Sequence, residues 1–173
     1  MLPKATPTNI TKEIVEYYKK MPPKEQLEAF VRLLKASKAN KEMMHYFMFE
    51  SKNKNVFIDK ACGILRDKYA GSRRDSTYLF KKNFQELCKR MNAFLKLDKD
   101  AIIHVELRLY VLQLVGADLQ KIGCEVADNL YQRILKKVVI LLATLHPDYA
   151  LDYTAALKEA NKLQKKFMIL DEL

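Results

Sequence analysis

This 173-residue sequence predicts an all-α fold: about eight helices in antiparallel hairpins, packed as a compact multi-helical bundle or a short α-solenoid. Three observations carry the prediction. Apolar residues recur every three or four positions along most of the chain, the period of one helix face. Gly and Pro number only four and five, too few for the turns of an all-β fold. The stretches between periodic segments are short, which makes successive helices antiparallel neighbours. No composition shift or Gly/Ser linker breaks the chain. Residues 1–173 are therefore expected to form a single domain, with 1–10 as a flexible N-terminal arm punctuated by Pro3 and Pro7.

The elements follow in order. Thr11 is placed to cap a short first helix ending near Lys20. Pro22 and Pro23 stop it, and Pro23 suits the first turn of a second helix over 23–37. That helix aligns Leu27, Phe30, Val31 and Leu34 on one face. Asn40 is expected to cap a third helix over 41–51, dense in Met43, Met44, Tyr46, Phe47, Met48 and Phe49. So many consecutive apolar residues point to a helix sandwiched in the core, with a dimer or partner contact as the other reading. Asn55 opens a fourth helix carrying Phe57, Ile58, Ala61, Cys62, Leu65 and Tyr69. Gly71 stands where a left-handed terminator belongs.

Asp75 or Ser76 caps the fifth helix. Its stripe of Phe80, Phe84, Leu87, Met91, Phe94 and Leu95 is the clearest helical period in the chain. Asp98 or Asp100 opens a sixth helix running to about Val115. Within it, residues 103–111 alternate apolar and polar strictly, the signature of a half-buried strand. Helix is the preferred reading, because the alternation breaks at Leu112 and a lone strand has no partner. As a helix it is apolar nearly all round, and it should be the most buried one. A seventh helix is expected from about Lys121 to Leu145, stopped by His146 and Pro147. Asp148 caps an eighth, with Tyr149, Tyr153, Leu157, Ala160, Leu163 and Phe167 on one side. The stretch from His146 to Ala160 resembles the helix-opening part of a tetratricopeptide repeat. It occurs once, where an array repeats every 34 residues, so the likeness implies hairpin stacking and transfers no binding residue.

The net charge of +10 is unevenly placed. Residues 1–100 hold 22 basic and 12 acidic side chains, whereas 101–173 hold nine of each. The surplus peaks over 52–99, with 13 basic against five acidic. Lys82, Glu86 and Arg90 form i, i+4 pairs. Lys68, Arg73, Arg74, Lys81, Lys89 and Lys96 are left as a candidate anion- or partner-binding face. Such a face attracts phosphates, as on nucleic acid, anionic lipid or an acidic protein. Against nucleic acid, Lys outnumbers Arg, no aromatic interleaves with the cations, and the turn from Tyr69 to Ser76 is too long for a helix-turn-helix.

Catalytic chemistry has little purchase. Glu42 and His45 form one Glu-x-x-His pair, but His104 and His146 follow Ala101 and Ala143, so the second pair of a di-metal helical bundle is missing. His104, Glu106 and Arg108 are polar positions in an apolar helix, read as its paired edge or as pocket lining. Cys62, Cys88 and Cys124 have no CxxC spacing and read as reduced thiols packed as small hydrophobes. No Gly-rich phosphate or dinucleotide motif occurs. No cofactor and no metal are expected. The N-terminus lacks the apolar core of a signal peptide, and no apolar run approaches the roughly 20 residues of a membrane span.

These readings together predict a cytoplasmic, non-enzymatic protein-interaction module, its partner another protein or a second copy, with no membrane. The alternative is a nucleic-acid-binding accessory protein using the basic face of residues 66–96. The third is an enzyme or metal site assembled between helices.

Overall fold

A computed structural model describes residues 7–163, with side chains from Ile10 onward. Within them the fold is all-α, eight α-helices with no strand, as the sequence predicts. The chain divides into two compact units, the first ending at Met48 and the second starting at Phe49.

The first unit holds α1 (Pro7–Lys20), α2 (Pro23–Ala36) and α3 (Lys38–His45). Helix α1 starts at Pro7, four residues before Thr11, so residues 7–10 belong to the helix and not to an arm. Proline suits this first position, where its missing N–H has no helical acceptor. Residues 1–6 of the expected arm lie outside the described residues. The turn into α2 is closed by Gln26, whose Nε2 donates to the carbonyls of Tyr18 at 2.9 Å and Met21 at 3.1 Å. Helix α3 is capped by Ser37, which accepts from the Ala39 N–H at 3.1 Å. Asn40, the expected cap, lies inside the helix and donates to the Leu33 carbonyl at 2.8 Å.

The chain leaves α3 through a π-helical turn, Tyr46–Glu50. Here the expectation of a core segment fails. Tyr46 is buried, but Phe47 is 69% exposed and Met48 52%. Six of the seven residues 43–49 are apolar, and along a helical segment so dense a run points to every side, so some of them face outward.

The second unit holds α4 (Lys54–Ala70), α5 (Thr77–Leu95), α6 (Ala101–Ile122), α7 (Glu125–Leu142) and α8 (Pro147–Lys162), packed as a compact helical bundle. Side-chain caps fix three starts: Asn53 accepts from Val56, Ser76 from Leu79 and Asp100 from Ile102. Asn53, and not Asn55, therefore opens α4. Gly71 ends α4 with φ −76°, an ordinary right-handed value, so no left-handed terminator forms there. That role falls to Gly123, with φ 62°, after α6. Helix α6 thus runs seven residues past Val115, and Lys121 belongs to it and not to α7. His146, and not Asp148, caps α8, its ring Nδ1 accepting from the Asp148 N–H at 3.4 Å.

Helix α6 is the axis of this unit and packs against α4, α5, α7 and α8. Residues 103–111 are helical. Their alternation arises because neighbours surround the helix, so apolar residues are buried at several azimuths while the polar positions serve as hydrogen-bonding posts. Ile103, Val105, Leu107 and Val111 are fully enclosed. Between them, Glu106 accepts from Tyr153 Oη at 2.8 Å, and Arg108 donates to the His104 carbonyl at 2.8 Å. The α5 stripe of Phe80, Phe84, Leu87, Met91, Phe94 and Leu95 is buried throughout, as its period predicts. Phe94 meets Phe57 of α4 edge-on, centroids 6.1 Å apart. Burying each such side chain contributes about 1.5–3 kcal/mol.

Candidate interaction surfaces

The first unit shows what its helices do not bury. Neither α2 nor α3 has a buried residue, and every described α1 side chain is exposed. Ile14 is 62% exposed, Tyr17 70% and Leu27 63%. The expected core stripe of α2 is thus half spent: Phe30 and Leu34 are partly covered, while Leu27 and Val31 face outward. Between α1 and α2 lies a mostly apolar groove of about 360 Å³, lined by Glu13, Ile14, Tyr17, Tyr18, Met21 and Ala29. Nothing in the residue pattern marks it, because α1 is short and its apolar residues fit a core-facing stripe equally well.

The six basic residues expected to form one face meet different fates. Arg73 pairs with Asp75 at 2.7 Å. Arg74 lies 3.4 Å from Asp118 and stacks over the Tyr69 ring at 4.3 Å, while Tyr69 Oη donates to the same carboxylate at 2.7 Å. Lys89 approaches Glu86 at 3.9 Å. Among the described residues, Lys68, Lys81 and Lys96 have no carboxylate within ion-pair distance. The Arg73 and Lys89 pairs are local, whereas Arg74–Asp118 joins the turn before α5 to α6 and cannot be read from spacing along one helix.

His104 has a structural post. Its Nε2 lies 3.0 Å from the Leu95 carbonyl and 2.8 Å from that of Asp98. A ring nitrogen between two carbonyl oxygens must carry its proton and donate, so it ties the α5–α6 turn. Glu42 sits 4.0 Å from Lys38 on its own helix. Among the described residues, no three His, Cys, Asp or Glu side chains converge as a metal site. Burial pushes the Cys62 thiol up to about 11 and the Cys88 thiol up to about 12, away from the thiolate that nucleophilic chemistry needs.

Of the α6 polar trio, Arg108 lines a cavity. With Arg133, Lys136 and Lys137 of α7 it lines a cleft of about 280 Å³, floored in part by Met91, Leu130 and Ile134. Arg108 is only 8% exposed, and burial pushes its guanidinium below the ordinary value. The α7 cations escaped the sequence reading because the C-terminal half balances to zero overall. Their i, i+3, i+4 spacing, on a face with no acid, was the available signal.

In comparisons with known proteins, no family model matched the chain, and no curated protein or solved structure matched it either. No helix among the described residues is long and apolar enough to cross a membrane.

Proposed function

We propose that the protein is a non-enzymatic protein-interaction module whose first unit receives an amphipathic helix of an acidic partner. The observation that carries this reading is the unburied apolar surface of α1 and α2, centred on the groove at Ile14, Tyr17, Tyr18 and Met21. Folding spends amphipathic faces by burying them; a face left open around a groove of this size suits a partner helix. Charge complementarity favours a different protein over a second copy. The chain carries +10, and residues 1–48 alone hold nine basic and five acidic side chains. Copies repel one another and an acidic helix is attracted. Three free thiols support a reducing, cytoplasmic setting.

The test is a titration of the full chain with a synthetic acidic amphipathic helix carrying Leu at i, i+3, i+4 and i+7. Saturable binding is expected, weakened about tenfold or more by Ile14→Glu with Tyr17→Glu. Binding indifferent to those substitutions would overturn the reading, as would a stable homodimer that occupies the groove.

A further inference from the structure

We propose that the cleft between α5, α6 and α7 is a binding site for a small soluble organic phosphate. The site lies wholly in the second unit and is independent of the interaction surface on α1 and α2. At about 280 Å³ it falls just under the roughly 300 to 1,000 Å³ of drug-sized ligand pockets, which suits a small ligand. Arg108, Arg133, Lys136 and Lys137 all line it, and no carboxylate does.

Arg108 is the most informative of the four. It is 8% exposed and donates to the His104 carbonyl at 2.8 Å. A guanidinium offers five N–H donors, and among the described residues no carboxylate lies within ion-pair distance of this one. A cation buried without a counter-charge is costly to hold, and an anion in the cleft offsets that cost. Arg133, Lys136 and Lys137 stand at i, i+3 and i+4 on α7, so one face of that helix adds three further charges. Arg133 reaches its own helix at Asn129 O, 3.3 Å away, and Lys136 and Lys137 are exposed.

Four cations around one small cleft match a phosphate dianion better than the single charge of a carboxylate, and Arg supplies the fork that phosphate oxygens accept. Leu130 and Ile134 give an apolar wall, so the ligand's organic part adds contacts that inorganic phosphate lacks.

The test is calorimetry on the full chain at low salt and about pH 8, where a phosphomonoester is dianionic. Phenyl phosphate is expected to bind saturably, about tenfold more tightly than inorganic phosphate, while phenol does not bind. Arg133→Glu with Lys137→Glu, both exposed and away from the core, is expected to weaken binding by about tenfold or more. Lys81→Glu with Lys96→Glu removes the same charge elsewhere and is expected to leave it within about twofold. No saturable binding, or equal losses in the two double variants, would overturn the proposal. Tighter binding of a short single-stranded RNA, or of phosphatidic acid vesicles, through Arg133 and Lys137 would overturn the assignment to a small soluble ligand.

Discussion

Leu163 lies directly on Gly116: a Cβ built on that glycine falls 2.4 Å from Leu163 Cδ1 and 3.2 Å from its Cβ and Cγ. The glycine lets the end of α8 approach α6 where any larger residue would hold it off. A Cβ built on Gly63 in α4 meets nothing within 4 Å beyond its chain neighbours and its own helix backbone. Gly→Ala is therefore expected to have opposite signs at the two sites. At Gly116 overpacking costs about 1–3 kcal/mol against a helix-propensity gain of about 1 kcal/mol, a net loss of about 1 kcal/mol. At Gly63 the substitution is expected to stabilise by about 0.5–1 kcal/mol. Urea midpoints of the two variants check both signs.

Asp100 joins α4 to the start of α6. It accepts from the Ile102 N–H at 2.8 Å and from the Lys54 ammonium. The Lys54 bond, helped by the backbone N–H, holds its carboxyl below the ordinary range. A depressed folded-state value contributes stability that is present above the unfolded value of about 3.9 and is lost as the pH falls through the folded value. Asp100→Ala is expected to cost about 1 kcal/mol at neutral pH through the lost cap. Asp100→Asn keeps a capping oxygen and is expected to cost less. Its deficit against the parent chain should shrink below about pH 4, in urea titrations repeated across acid pH.

The two units should answer truncation differently. Phe84 is fully buried, so Phe84→Ala is expected to cost about 3–5 kcal/mol. Ile14 and Leu27 are largely exposed, so Ile14→Ala with Leu27→Ala is expected to move stability by less than about 0.5 kcal/mol. Unfolding followed by circular dichroism compares them. A large loss from the Ile14 and Leu27 pair would mean that those residues belong to a core.

Legibility followed the range of the forces involved. The α5 stripe was readable because a single face buried against neighbours leaves a 3.6-residue period. Helix α6 was harder, since a helix enclosed on several sides loses that period and imitates a strand over 103–111. It also runs on past the expected end near Val115, with Gly116 inside it against Leu163. Capping errors at Asn40, Asn55 and Asp148 each missed by two or three residues, because several capping side chains compete within one turn. The basic set was read from position along the chain, whereas Asp118, which claims Arg74, comes from another helix. Arg108 was legible as a polar position in an apolar helix; its companions on α7 depended on tertiary packing. The open face of α1 and α2 was not legible at all, because an amphipathic stripe looks the same whether folding buries it or leaves it for a partner.

The proposed function requires the apolar surface of α1 and α2 to be a binding surface and not part of a core. Hydrogen exchange followed by mass spectrometry, with and without the synthetic acidic amphipathic helix, tests it most directly. Added protection is expected in residues 7–36 and none in 54–95, abolished by Ile14→Glu with Tyr17→Glu. Protection confined to the second unit, or no protection at saturating peptide, would contradict it.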